Sequence, residues 1–405
     1  MTEQYISIFS GIGGLEHPLV SPMLFCEKDN ACQKVLQVAH PDVPIVGDIL
    51  SLQRPPSASL VVGGWPCQDI SSAGTLGGIR AERSGLFFEM LRVAKAAGAH
   101  TLVGENVPNL LTINNGLDFR LVLNTLCTEG YPHIGWRVLN ARQFGLPQQR
   151  RRLFVVASRY PERAEAIHAR IPPFSKQNSS REAFAFYWTG GKRSICFSHG
   201  YSPTLKIGAT DNNGRAPVAV LLGEQIRKLT SRECLRLQGF GELHDLHSRL
   251  SRSTLLRMAG NAVPRPMGHF VVQAVSESAS SDGLRAAFAV LTDSGLYENG
   301  LPWAINHSET PLADNLADFL DPTTAESLSC QAAAGLLVRS IRAGQPMPLQ
   351  LFDLLWNLAA NRGEALRPSR SNSFEILDSM GNDATQYRAG LKPIADYDSP
   401  LDEDS

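Results

Sequence analysis

Along the first 160 residues, short apolar runs at 5–9, 23–26, 60–62, 101–103, 135–139 and 153–157 alternate with stretches of helical spacing at 31–39 and 86–97. Short continuous apolar runs predict strands buried on both faces, and their alternation with helices predicts an α/β fold built on a parallel sheet. From residue 158 the texture changes. Pro172-Pro173, a polar run at 176–181, Gly190-Gly191 and the stretch 211–214 break up any period, which predicts a second, smaller region. Helical spacing returns at 231–237 and 263–275. The stretch 325–360 reads as two amphipathic helices broken between Gly344 and Pro348, and the chain ends in an acidic tail with no internal repeat anywhere.

Three places along this pattern carry chemistry. Ser10-Gly11-Ile12-Gly13-Gly14-Leu15 follows the first strand directly, where glycines let the backbone approach a ligand closely. Glu27 ends the next strand at the distance where a carboxylate takes a ribose hydroxyl pair, and Asp48 follows a third short apolar run at 43–46. Together these describe a nucleoside pocket, without distinguishing a nicotinamide cofactor from S-adenosylmethionine. The second place is Gly63-Gly64-Trp65-Pro66-Cys67-Gln68, just beyond a buried strand. A lone cysteine is most often inert packing, but polar neighbours and Ser71-Ser72 set Cys67 apart. The next strand leads into Gly104-Glu105-Asn106-Val107 and brings a carboxyl group to the same sheet edge, where it must be solvated, paired or used. The third place is Gln148-Gln149-Arg150-Arg151-Arg152, whose guanidiniums can lower a thiol pKa and bind anions.

Composition removes several alternatives. With 405 residues, 43% hydrophobic content and a formal charge of −1, the chain can bury one large core or two modest ones. No apolar run approaches the roughly 18 residues of a membrane span, and the start lacks the pattern of a signal peptide. The expected location is the cytoplasm. Seven cysteines without a CxxC pair fit neither a disulfide framework nor a zinc site, so no metal is expected. The stretch 159–236 carries 13 Lys and Arg against 6 Asp and Glu, a local excess suited to phosphates.

The ordered set of Phe9 to Leu15, Pro66-Cys67-Gln68 with Ser71 and Gly74, Glu105-Asn106-Val107, Gln148 with Arg150 and Arg152, Arg232-Glu233 with Arg236 to Phe240, and Gly260-Asn261-Ala262-Val263-Pro264 resembles the motifs of the cytosine-C5 methyltransferases of bacteria and phages. The resemblance implies a Rossmann-like methyltransferase sheet, a small target-recognition domain and a closing segment that returns to the cofactor side. It covers a catalytic and cofactor-binding domain (1–158), a recognition region (159–258) and the returning segment (259–275); beyond it, helical spacing and the acidic count predict a helical extension (276–371) and an acidic, disordered tail (372–405). It implies contacts to S-adenosyl-L-methionine by Phe9, Gly11, Gly13, Gly14, Leu15, Glu27, Asp48, Leu86 and Asn261. Cys67 would add to cytosine C6, Glu105 would serve N3, Arg152 would hold O2, and Arg150 with Gln149 would position the base and a nearby phosphate. Pro66, Gln68, Asn106 and Gln149 would line the base site.

The implied substrate is double-stranded DNA with the target base flipped out, the implied enzyme a monomer, and a restriction endonuclease its functional counterpart. A tRNA-modifying relative and a catalytically silent nucleic-acid-binding protein are the competing readings. Two features depart from the family pattern. Trp65 stands where proline, serine or phenylalanine is more usual, and only 42 residues, 159–200, separate the last predicted strand from Tyr201.

Overall fold

The computed structural model describes residues 4–66, 85–172, 182–187, 197–205, 218–243, 250–278, 284–287, 294–298, 301–306, 316–321, 327–360 and 373–393. Cys67, Gln68, Ser71 and Gly74 lie outside the described residues.

Five strands of continuous apolar character lie parallel: β1 (Tyr5–Ile8), β2 (Leu24–Cys26), β3 (Ile45–Val46), β4 (Leu60–Gly64) and β5 (Thr101–Asn106). β6 (His133–Asn140) and β7 (Arg151–Ser158) complete this part of the sheet, with β7 antiparallel to both β5 and β6. The sheet is parallel over β1 to β5, as expected, and turns antiparallel at this strand. Its reversal has a consequence for chemistry, because the start of β7 now shares an edge with the carboxyl ends of β1, β4 and β5.

Helices cover both faces. α1 (Asn30–Ala39) begins where the Asp29 side chain accepts from the Ala31 and Cys32 amides, an N-cap that satisfies two otherwise orphaned donors. α2 (Gly85–Ala96) and α3 (Leu117–Thr128) bury Phe87, Met90 and Phe119 against Ile6, Ile8, Val61 and Trp136. Three further helices, α4 (Pro161–Glu165), α5 (Ser231–Arg236) and α6 (Arg252–Asn261), precede α7 (Arg265–Glu277), which packs Met267, Val271 and Val275 on the opposite face against Tyr5, Val62 and Phe154. Burial of these apolar faces, not helix propensity, holds such helices in place.

The recognition region forms a second, four-stranded antiparallel sheet in the order β11 (Gln225–Lys228), β10 (Val218–Leu222), β8 (Ala183–Tyr187) and β9 (Phe197–His199). Its strands alternate side chains between two faces, and both faces are buried.

The segment expected to be a helical extension begins as sheet. β12 (Leu284–Ala287), β13 (Ser294–Glu298) and β14 (Leu301–Asn306) form an antiparallel trio that pairs through β13 with β6, so the main sheet has ten strands. Helices follow: α8 (Leu316–Phe319), α9 (Cys330–Ala343) and α10 (Leu349–Ala360), with Gly344 in the left-handed conformation capping α9 at the expected break. The expected disordered tail is corrected over 373–393, where α11 (Ser373–Ser379) and α12 (Gly381–Ala389) bury Leu377 and Ala384, and the rest of it lies outside the described residues. No helix among the described residues is long and apolar enough to cross a membrane.

Candidate active site

Parallel strands put their carboxyl ends on one edge, and Phe9, Glu27, Asp48 and Glu105 follow or end strands there. Phe9 follows β1 with a φ of +52°, a left-handed conformation rare outside glycine and worth roughly 1–2 kcal/mol of strain in a residue with a Cβ. Gly11 comes next in the turn, also left-handed, and a Cβ built on it would meet no atom within 4 Å. The loop therefore opens onto free space at this point. Its amide donates to Glu27 Oε2 at 2.7 Å, while the Asp29 amide donates to Glu27 Oε1 at 2.7 Å. Glu27 is thus fixed at the end of β2 by two backbone donors, and burial nevertheless raises its carboxyl above the ordinary range. Asp48 caps the short turn after β3 through the Leu50 amide at 3.0 Å and lies 3.4 Å from Lys28 Nζ, which together hold its carboxyl low. Leu86 lies half-buried on α2 against the core.

Gly14 and Leu15 turn inward. A Cβ on Gly14 would lie 2.5 Å from the Val263 carbonyl oxygen, and one on Gly268 would lie 1.9 Å from the Gly14 carbonyl oxygen. Such separations are sterically prohibited, so the returning segment can approach the glycine turn only because both positions lack side chains. Asn261, exposed at the end of α6, belongs to that segment.

Beneath the turn lies a group that motif reading did not single out. Glu16 is buried, accepts from Ser7 Oγ at 2.8 Å and has no partner on Oε2. Burial, opposed by the Ser7 bond and by Arg265, raises its carboxyl to about 7. An acidic residue two places after a glycine pair is the only sequence signal it gives.

At the end of β4, buried Trp65 packs against Phe87 and lies over Gly104, where a Cβ would come within 2.1 Å of its ring. The Asn106 amide nitrogen donates to the Trp65 carbonyl at 3.1 Å, and its oxygen accepts from the Val107 amide at 2.8 Å. Asn106 therefore ties the end of β5 to the backbone leading into Pro66. One residue earlier, Glu105 Oε1 lies 3.0 Å from Arg152 Nε, with side-chain exposures of 12% and 14% respectively. Burial raises the Glu105 carboxyl, and Arg152 and then Arg150 oppose the rise. A solvent-shielded carboxyl with a raised pKa beside a guanidinium can donate or accept a proton and hold an oxygen of a planar heterocycle.

The other residues of the arginine run have different duties. Gln149 is half-buried; its side-chain oxygen accepts from Asn140 Nδ2 at 3.0 Å and its backbone amide donates to Ser202 at 2.8 Å. Arg150 is 1% exposed and donates to the carbonyls of Leu205 at 3.3 Å, Gly260 at 2.8 Å and Ala262 at 2.7 Å. Its guanidinium holds the carbonyls flanking Asn261 and is shielded from solvent. Gln148, fully buried, donates to Leu237 and accepts from the Leu205 amide. Beside them Arg142 stacks 4.0 Å over the Tyr201 ring, a cation–π contact bridging the two regions.

The chain is similar to known proteins. The profile of the C-5 cytosine-specific DNA methylase family fits residues 4–188 and 191–277. This chain belongs to that family. Type II methyltransferase M2.BsuMI of Bacillus subtilis is 31% identical over 302 residues, covering 68% of this chain and 76% of its own. Type II methyltransferase M.Bsp6I of a Bacillus species is 28% identical over 321 residues, covering 68% of this chain and 99% of its own. The solved structure of a Spodoptera frugiperda DNMT2 mutant aligns with 68% of this chain and 99% of its own at 13% identity and a TM-score of 0.49. The family match ends at residue 277, so β12 to β14 and the helices after them lie beyond it.

Proposed function

We propose that this protein transfers the methyl group of S-adenosylmethionine to C5 of a cytosine in double-stranded DNA through a covalent adduct of Cys67 with C6. The observation that carries the reading is the shielded Glu105–Arg152 pair at the sheet edge where β4 runs out into Pro66 and Cys67. Cytosine C5 is a weak nucleophile, so a thiolate must add to C6 first and push electron density to C5. Glu105 supplies the proton for N3 that lets the ring accept those electrons, and its raised pKa keeps that proton available. Arg152 donates to O2. After methyl transfer the C5 proton leaves to a base, the C5–C6 double bond re-forms and the Cys67 thiolate is expelled.

The residues present fit the methyl donor: the open turn at Gly11 can admit it, and Glu27 and Asp48 stand at the neighbouring strand ends to take ribose hydroxyls and the nucleoside rim. When bound, this cofactor supplies an electrophilic methyl group. The segment that carries Asn261, whose flanking carbonyls Arg150 holds, packs on the same turn through Val263 and Gly268. Because C6 is inaccessible inside a duplex, the base must swing out to reach this edge. The family description and the relatives' designation as type II methyltransferases support duplex DNA as substrate and a modification role paired with a restriction endonuclease. The protein acts as a monomer in this reading.

Labelled S-adenosylmethionine offered with duplex DNA or with tRNA tests the substrate, and duplex carrying 5-fluorocytosine tests the adduct, because fluorine cannot leave as a proton does. The expected results are label in DNA and a denaturant-stable complex that Cys67→Ala abolishes. Label in tRNA alone overturns the substrate, and trapping by Cys67→Ala overturns the nucleophile.

A further inference from the structure

The chain beyond residue 277 touches both regions that must cooperate on DNA. At one end β13 pairs with the outer edge of β6 in five-residue register, from Ser294 opposite Arg137 to Glu298 opposite His133. At the other end it covers the recognition sheet. Leu328, Leu336, Leu337, Phe352 and Leu355 pack on the face formed by Phe184, Phe186, Ala219, Leu221 and Ile226. The opposite face, with Ala183, Ala185, Val218 and Val220, is already filled by α5 and α6. Without the C-terminal helices the sheet would expose a contiguous aromatic and aliphatic surface to water.

A buried ion pair fixes the junction. Arg227 on β11 and Glu233 on α5 are each 1% exposed and form a two-pronged pair, 2.9 Å from NH1 to Oε2 and 2.7 Å from NH2 to Oε1. The pair is completed from the extension: the Asp321 amide donates to Glu233 Oε1 at 2.7 Å, and Arg227 NH2 donates to the Asp321 carbonyl at 2.9 Å. These bonds offset part of the cost of burying both charges, and of the guanidinium nitrogens only Nε of Arg227 is left without a partner. Two backbone bonds flank this latch, Leu316 N–H to the Gly200 carbonyl at 2.8 Å and Leu328 N–H to the Ile226 carbonyl at 3.3 Å.

We propose that β12 to β14 and α8 to α12 form an intramolecular clamp that sets the recognition sheet relative to the β6 edge of the catalytic sheet, with the Arg227–Glu233–Asp321 junction as its latch. The clamp stands in for bulk that the short recognition region lacks. Its residues are positioning residues, remote from the reacting atoms. Loosening the latch lets the recognition sheet move, so DNA binding must order it again, while a target cytosine once bound meets an unchanged site. The DNA-binding part of this proposal rests on the methyltransferase reading above; the tethering part does not.

The test uses the full chain. Asp321→Pro removes the amide that serves Glu233, whereas Asp321→Ala keeps it. Asp321→Pro is expected to raise KM for duplex DNA by about tenfold with kcat within about twofold, to leave the Kd for S-adenosylmethionine unchanged, and to differ from Asp321→Ala in KM. A wild-type KM for Asp321→Pro, or a loss confined to kcat, overturns the clamp. Hydrogen exchange of the unaltered protein decides the tethering even if the proline variant does not fold. The amides of β10, β11 and α9 should exchange as one cooperative unit, and independent exchange of α9 overturns the proposal. If no DNA is methylated at all, the functional reading fails while the exchange result still stands for or against the clamp.

Discussion

The guanidinium of Arg150 reaches 112 residues along the chain to donate to the Ala262 carbonyl at 2.7 Å, and it holds the Gly260 carbonyl at 2.8 Å as well. These bonds bracket Asn261, so the arginine expected to help position the base also fixes the returning segment. Full burial lowers its pKa well below the usual guanidinium range, and Arg152 nearby adds to the lowering; both terminal nitrogens donate to carbonyls, while Nε has no partner.

Replacing Arg150 with methionine should therefore act through stability first. Three carbonyls lose their donor, at a cost on the order of 3 kcal/mol. The expected outcome is a lowered melting temperature and weaker S-adenosylmethionine binding by calorimetry, with kcat at saturating cofactor falling far less than for changes at Glu105. A stable variant with normal cofactor affinity and a large loss of kcat would return Arg150 to the base.

Glu105→Gln keeps the shape of the side chain but removes the titrating proton. The methylation rate should fall by roughly two to four orders of magnitude, the range for losing a positioned acid–base group. Affinity for duplex DNA in a gel-shift titration should stay near wild type. A wild-type rate would make the pair with Arg152 a structural contact only.

The contact between Gly14 and Gly268 offers a steric test. Gly268→Ala places a methyl carbon 1.9 Å from the Gly14 carbonyl oxygen, and backbone cannot yield as a flexible side chain does. Destabilisation of about 1–3 kcal/mol, the usual range for overpacking, is expected, together with a raised Kd for S-adenosylmethionine as the glycine turn is pushed outward. Unchanged thermal melting and cofactor affinity would show that α7 shifts freely on the sheet.

The strands of the catalytic sheet were legible because buried strands need nearly every residue apolar, and β1, β4, β5 and β7 are written that way. Direction was not legible. Nothing in 153–157 says that β7 runs backwards, although that reversal is what brings Arg152 to Glu105. Side-chain destination was equally hidden in the arginine run, where Arg150 turns into the core and Arg152 to the cleft; a motif fixes residue type, while Glu105 and Leu205 lie 47 and 55 positions away from the arginines they meet. The helix α3 announces itself only through Asn114, Asn115 and Gly116, three residues in left-handed conformations just before it. In the extension, Asn299-Gly300 between two apolar runs is the strongest short-range hairpin signal in the chain and marks the β13 and β14 pair that composition alone does not reveal. The acidic count of 372–405, 8 Asp and Glu against 2 Lys and Arg, pointed to disorder. It obscured Leu377 and Ala384, whose burial anchors two short helices there.

Glu16 makes the stability of the glycine turn depend on pH. The carboxyl accepts from Ser7 Oγ on one oxygen and has no partner on the other, with Arg265 as the nearby cation and the Tyr5 hydroxyl as the other titratable group coupled to it. Desolvation is the largest cause of its rise from 4.5 to about 7. The folded protein thus keeps a proton that the unfolded chain releases. Between pH 4.5 and about 7 the native state binds more protons than the unfolded state, so stability falls as pH rises. The contribution is complete below the unfolded pKa and lost above the folded one, a span on the order of 3 kcal/mol. Glu16→Gln retains an oxygen for Ser7 and carries no charge at any pH, so it should melt above wild type at pH 8 and close to it at pH 5. Cofactor affinity should follow the same trend, since the turn that Glu16 supports carries Gly11 and Gly13. Parallel melting curves for the two proteins across that range would mean that the carboxyl finds a compensating partner when it ionises, and the pH dependence would have to be sought at Glu27 or Glu105 instead.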